Sequence, residues 1–434
     1  MKNRSKQKRI GIIGLWHLGC IYATSLAQNG YLVTGYDLDK KVIDNLNAGY
    51  PPILEPGLPE RLKKYLNHDL FFSSKPQDSI TNQDYVMICL DVPVDNNDRV
   101  ILRDLHKYFQ LVTKYCSDNT VIVVSSQIPV GSTRSLINQL KTKNKRVEVV
   151  YFPENLRLGQ AFESFLKPER LVLGADNYKT IKKFISDFSL FSCPVIFMSP
   201  ESAEIVKHAL NAYLAVNISF ASELGDLCEL FGANMEEVIS ALKTDRRVSR
   251  DAPINPGLGF AGGTLGRDLQ TLISVSSKKK YNPKLIKSIY GVNQDRISLL
   301  VGKIKQIYPV LSNRNIGILG LTYKPHTDTL RRSQSLELAS ILNGEGANIR
   351  AFDPAIKSLK KNLSFIKLCQ NLDHFFRDLN LIVLMTPWPQ FKKIDPSIIA
   401  KQLKNKIIYD CKNFLDYRKF KTFGFQVHRI GNIL

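Results

Sequence analysis

Apolar positions along the chain fall into short runs separated by helical patterns, the alternation expected of parallel α/β sheets. Residues 9–14 (RIGIIG) predict a strand, residues 20–28 an apolar helix, and residues 31–36 a second strand that ends in Asp37. Further strands are expected at 85–90, 120–125 and 147–151, with helical segments between them. A second unit of the same kind comes late in the chain, with strands at 315–321, 347–352, 379–385 and 406–409 and a helix over 335–343. Between the two units, residues 200–232 carry a helical pattern that would extend roughly 46 Å at 1.5 Å per residue. Ser199, Pro200 and Glu201 supply its start and Gly232 its stop. Large apolar residues (Ile205, Val206, Leu210, Tyr213, Phe220 and Leu227 among them) occupy most of its circumference, which predicts a helix buried on several sides.

The polar exceptions on that helix share one face. Glu204, Lys207 and Asn211 are spaced i, i+3, i+7 and point at one place. A lysine and an amide so directed suit an oxyanion or a substrate hydroxyl; a solvated polar stripe accounts for the spacing equally well.

A chain of 434 residues predicts two or three domains. We place them at 1–195, at a helical region over 196–300, and at 301–434. With 44% hydrophobic and 23% charged residues the composition is that of a folded globular protein, and no apolar run reaches the length of a bilayer span. The basic first nine residues lead straight into a strand rather than a signal-peptide core, so a soluble cytoplasmic protein with no membrane partner is expected. Seven scattered cysteines, never in C-x-x-C spacing, indicate neither a disulfide framework nor a metal site. The net charge of +21 has no nucleic-acid motif beside it and is better matched to a small anionic ligand such as a diphosphate.

Strand, glycine turn, helix, strand and then an acid is the layout of a dinucleotide fold, and Asp37 favours NAD over its phosphorylated form. The turn Gly14-Leu15-Trp16-His17-Leu18-Gly19 departs from the fingerprint, because Trp16 stands where the second glycine lets the pyrophosphate approach. Later, residues 255–268 (NPGLGFAGGTLGRD) form a glycine-rich loop that leaves backbone N–H groups open to a ligand. A tight turn ahead of a helix that begins near Arg267 would need the same glycines.

These stretches together resemble the UDP-glucose/GDP-mannose dehydrogenase family over nearly the whole chain. The resemblance is carried by Gly35-Tyr36-Asp37-Leu38-Asp39, Glu55-Pro56-Gly57-Leu58, Ser126-Gln127-Ile128-Pro129-Val130-Gly131-Ser132, Phe152-Pro153-Glu154-Asn155-Leu156-Arg157-Leu158-Gly159 and Pro168-Glu169-Arg170. The helix matches the family's A-E-x-x-K-x-x-x-N through Ala203, Glu204, Lys207 and Asn211. In the last unit, residues 321–331 (LTYKPHTDTLR) resemble L-x-F-K-P-x-T-D-D-x-R.

The resemblance implies two Rossmann-like doubly wound domains joined by a long central helix that also pairs two copies into a homodimer. It implies NAD at Gly14, Trp16, His17, Leu18, Gly19, Asp37, Pro93, Ser126 and Arg331. A UDP- or GDP-linked sugar is implied at Glu154, Leu156, Lys207, Phe260, Gly262, Lys324 and Lys412, with Arg247 reaching it across the dimer. Lys207, Asn211 and Asp268 are the implied catalytic groups of the first oxidation, and Glu154 that of the hydrolytic end.

Against the family's G-x-G-F-G-G-S-C-F-P-K-D, Thr264 falls on the cysteine that traps the aldehyde for a second oxidation. A threonine hydroxyl needs a dedicated base that a thiolate does not, and no partner for one is evident. Leu158 also replaces a glutamate, Gln127 a threonine, and Lys412 an arginine. The expected activity is therefore NAD-dependent oxidation of a nucleotide sugar that stops after one hydride transfer. Two other readings stay open: an epimerase that retains NAD, and a silent protein that binds nucleotide sugars.

Overall fold

The computed structural model describes residues 7–95, 100–143, 145–153 and 156–432. It divides into two compact units, one of residues up to Leu210 together with Ser274–Lys280, the other of Asn211–Ile273 and Tyr281 onward.

The first unit is built on β1 (Arg9–Ile13), β2 (Leu32–Tyr36), β3 (Leu70–Ser73), β4 (Tyr85–Ile88), β5 (Val121–Val124), β6 (Glu148–Tyr151), β7 (Leu171–Gly174) and β8 (Val195–Met198), in the order β3-β2-β1-β4-β5-β6-β7-β8. All neighbours are parallel except β6 and β7, a departure from the wholly parallel sheet expected. Strands β4 and β5 (YVMI and VIVV) are buried at every position, because helices cover both faces, and this makes them legible as apolar runs. The order reverses between β1 and β4. That crevice, beyond the carboxyl ends of the strands, is where open α/β sheets take ligands.

The second unit repeats the design with β9 (Asn315–Leu319), β10 (Asn348–Phe352), β11 (Ile366–Leu368), β12 (Leu381–Leu384), β13 (Ile407–Asp410) and β14 (Gln426–Arg429), in the order β11-β10-β9-β12-β13-β14 and all parallel. Its switch point lies between β9 and β12. The repeat extends to the turns: Gly14 and Gly320 take φ of +90° and +92° and donate to Tyr36 O and Phe352 O, at 2.9 and 2.8 Å. A side chain there would be strained.

The long helix runs Pro200–Phe231, and the helices Leu265–Lys278 and Lys284–Ile307 follow it. Sequence reading did not anticipate the last of these. Burial on the long helix reverses expectation. Ile205, Leu210, Tyr213, Phe220 and Leu227 are exposed, while Ala203, Lys207, His208, Asn211, Ala212, Ala215, Ser219 and Ser222 are buried. Small side chains allow close backbone approach, so the narrow face packs and the bulky one does not. Gly225 serves the same purpose, since a Cβ there would lie 3.1 Å from the Met235 sulfur. Among the described residues no helix is long and apolar enough to cross a membrane.

Candidate active site

In the first unit, β1 delivers the glycine turn to the start of the helix His17–Gln28. Gly19 must be glycine, because a Cβ would stand 1.8 Å from the Gly14 carbonyl oxygen. Leu18 is buried behind it. Trp16 precedes the helix with φ −92°, a conformation open to any residue, and its indole is 43% exposed. The second glycine of the fingerprint is therefore not needed here for backbone geometry. The Asp37 carboxylate accepts from Leu15 N at 2.7 Å and from Asp39 N at 2.9 Å. It stays half-buried, with lone pairs left for a ribose hydroxyl. Helix N-terminus, glycine turn and acid thus fit a dinucleotide at the switch point.

The loops on the other side of that crevice carry Pro93, exposed after β4, and Ser126, buried after β5. The Ser126 hydroxyl accepts from Leu90 N at 2.7 Å and donates to Ile88 O at 3.1 Å, tying the two loops together. Glu154 and Asn155 lie outside the described residues. Leu156 packs partly buried against the core of this unit.

Sequence reading quoted Glu55 within a motif but gave it no role. It is 1% exposed, and its carboxylate meets His17 Nε2 at 3.0 Å, Gly159 N at 2.9 Å and Ala161 N at 2.9 Å. One buried acid thereby joins the glycine turn to the loop after β6. The available signal was an acid ahead of Pro-Gly, since nothing local in that turn requires a carboxylate.

On the long helix, Glu204 is held by the loop after β5. Its carboxylate accepts from Gly131 N at 2.5 Å, Thr133 N at 2.8 Å and the Thr133 hydroxyl at 2.6 Å, while the His208 ring bonds Ile128 O at 2.9 Å. Burial pushes the Glu204 carboxyl up from its ordinary range, and these donors pull it part of the way back. Lys207, between the two, is buried.

In the second unit, Asn211 Nδ2 donates to Asp268 Oδ2, and both side chains are buried. Asp268 lies in the first turn of the helix Leu265–Lys278, and exposed Thr264 directly precedes that helix. The backbone N–H of Asp268 donates to Thr264 O at 3.1 Å. The loop ahead of it is held by Asn293, which accepts from Phe260 N at 2.7 Å and donates to Phe260 O at 3.1 Å. The Phe260 ring packs with Ala212, Ala215, Leu269 and Ile289, so it serves the core of this unit. Gly262, at φ +80°, donates to Arg332 O at 3.4 Å.

The remaining candidates are spread through this unit. Lys324 stands with its ammonium 5.7 Å from the centre of the Tyr323 ring, beyond β9. Lys412 is partly exposed along its length, but burial of the ammonium lowers its pKa while Cys411 and Asp410 oppose the shift. Arg247 is exposed, and it forks onto Asp245 at 3.0 and 2.7 Å.

Three family models match the chain in order. The UDP-glucose/GDP-mannose dehydrogenase NAD binding domain matches residues 8–190, the central domain 201–295, and the UDP binding domain 317–417. The UDP-glucose 6-dehydrogenase of Rickettsia typhi is 32% identical over 438 residues, covering 98% of this chain and 99% of its own. A solved UDP-glucose dehydrogenase from the archaeon Pyrobaculum islandicum superposes with a TM-score of 0.89 at 26% identity over 100% of both chains. A UDP-D-ManNAc dehydrogenase from Pyrococcus horikoshii gives a TM-score of 0.86 at 25% identity, covering 98% of this chain and 99% of that one.

Proposed function

The chain belongs to the UDP-glucose/GDP-mannose dehydrogenase family, and from that premise we propose that it oxidises the CH–OH group of a UDP- or GDP-linked sugar with NAD and releases the product after one hydride transfer. The observation that carries the reading is the buried Asn211–Asp268 pair. A carboxylate held in place by an amide can serve as the general base that takes the proton from a bound alcohol. Lys207, one helical turn before Asn211, supplies a charge for the substrate oxygen, and Asp268, directly or through water, takes the proton. NAD, when bound, accepts the hydride. Thr264 is exposed at a helix start, and a threonine hydroxyl needs a dedicated base where a thiolate does not, which supports a halt before the second oxidation.

Residues 1–195 are assigned to the cofactor, 196–300 to the spine and 301–434 to the nucleotide sugar, with Lys324 and Lys412 toward its diphosphate. Two copies are assigned to pair through the exposed bulky face of the long helix, where Tyr213, Phe220, Leu227 and Leu230 stand out. Arg247, far from burial in a single chain, suits a role across that pair. All seven cysteines are free, as a reducing cytoplasm would keep them.

The test is to incubate the full chain with NAD and a panel of UDP- and GDP-sugars, counting NADH per sugar while weighing the product. One NADH with an aldehyde or ketone is expected. Two NADH per uronic acid would overturn the truncated reaction, and saturable binding without NADH would point to a silent binder.

A further inference from the structure

All six strands of the second sheet are parallel, so the segments that lead into them share one edge, opposite the crevice at the carboxyl ends. That edge is rich in lysine. From residue 301 onward Lys and Arg outnumber Asp and Glu by 22 to 9, so this part of the chain holds more than half of the net charge of +21. Within it, residues 396–409 and 417–427 carry six Lys and Arg side chains and no acid. The flanking acids, Asp395 and Asp416, cap the short helices Pro396–Ile399 and Tyr417–Thr422, and on the neighbouring loop Arg377 offsets Asp378. Lys401, Lys404 and Lys406 precede β13, Lys421 and Phe423 precede β14, and all five are exposed. The chain ties them together: Lys401 N donates to Ile398 O at 3.3 Å, Lys404 N to Leu379 O at 2.9 Å, and Lys406 Nζ to Phe423 O at 3.2 Å. Among these lysines Ile398 and Phe423 are 55% and 40% exposed.

We propose that this edge docks reversibly on the surface of an anionic lipid bilayer. Like charges gathered without acids repel one another, and an anionic surface relieves that repulsion. A cluster of four to eight Lys and Arg side chains is what an anionic leaflet attracts, each strengthening attachment about fivefold near the surface until salt screens it. The two apolar side chains distinguish a bilayer from other polyanions. Ile398 and Phe423 enter the boundary between headgroups and acyl chains, while the lysine stems lie along it with their ammonium groups among the phosphates. A sugar–phosphate backbone offers no apolar layer to receive them. Docking at the amino ends of the strands leaves the crevice at their carboxyl ends open, so it asks nothing of the chemistry assigned there.

The test is co-sedimentation of the full chain with vesicles of phosphatidylcholine alone and of phosphatidylcholine with about one third phosphatidylglycerol, at low and at high salt. Wild type is compared with K401S/K404S/K406S, with I398S/F423S, and with K278S/K279S/K280S, which removes three exposed lysines from the first unit. Melting temperatures identify any variant that fails to fold. Wild type is expected to bind the anionic vesicles at least about tenfold more tightly than the neutral ones at low salt, and to lose most of that preference at high salt. Three charges worth about fivefold each make the expected loss in K401S/K404S/K406S about 100-fold. The control K278S/K279S/K280S has the same net charge and should stay within about threefold of wild type. I398S/F423S should bind more weakly with its salt dependence unchanged, the mark of apolar entry beside charge. Wild type with no preference for anionic vesicles would overturn the proposal. Equal losses in the two triple variants would overturn it as well, since net charge alone would then account for binding. Binding to polyphosphate without binding to the vesicles would replace the bilayer by a soluble polyanion.

Discussion

The side-chain amide of Asn211 donates to the carboxylate of Asp268, and neither residue has appreciable contact with solvent. A helix 32 residues long supplies the first and the opening turn of another helix supplies the second. The acid is thus held by two rigid elements, which fixes a general base better than a loop would. Replacing Asp268 by Asn leaves two amides facing each other and removes the proton acceptor. We expect kcat to fall by about 10²–10⁴-fold with the fold intact. Asn211→Asp should cost nearly as much, because two carboxylates would share one buried site and one of them would be driven to hold a proton. Steady-state rates of NADH formation beside far-ultraviolet circular dichroism measure both; full activity in D268N would remove this acid from the mechanism.

Thr264→Cys is predicted to change the outcome rather than the speed of the first step. A thiol is a competent nucleophile near neutral pH where a threonine hydroxyl is not. The variant should therefore move the yield from one NADH per sugar toward two, with uronic acid among the products. Mass spectrometry of the product decides it. Identical product ratios in wild type and T264C would mean that position 264 does not set the stage at which oxidation ends.

Much of this architecture was legible because buried strands carry a simple mark. The runs YVMI and VIVV are apolar at every position, and they form β4 and β5 within a residue or two of the expected ends. The strand β8 (VIFM) is exposed or half-buried throughout, lies at the sheet edge, and was missed. On the long helix the ends were readable from proline and glycine, but the buried face was not. Counting bulky residues pointed outward to Tyr213 and Phe220, whereas packing selected Ala212 and Ala215. In the site, residues related by helical spacing could be grouped from sequence. Those joined through the fold, such as Gly263 with Arg331, left no local trace.

Glu204 shows how a residue on the expected face can serve another purpose. It satisfies two backbone N–H groups and a hydroxyl at the start of the helix Ser132–Thr142, and His208 one turn later bonds the same loop. Glu204→Ala strands those donors, and we expect a loss of about 2–4 kcal/mol, read from the urea midpoint. Glu204→Gln keeps one acceptor but turns an amide N–H toward the remaining donors, so it should be intermediate. A midpoint in E204A equal to wild type would show that water replaces the carboxylate at no net cost.

His428 carries the pH prediction. Its imidazole stacks on Tyr409, with centroids 5.8 Å apart and planes 12° from parallel, and burial lowers its pKa from the ordinary 6.5. The folded protein therefore resists a proton that the unfolded chain takes up readily. Stability contributed by this group is present above pH 6.5 and is lost as pH falls from there through the folded pKa. The loss cannot exceed about 1.4 kcal/mol per pH unit, the limit for one proton. His428→Gln removes the titration, so its stability should vary less than that of wild type between pH 7 and pH 5. Denaturant unfolding at several pH values tests this, and parallel curves for the two proteins would show that the ring gains its proton equally well in both states.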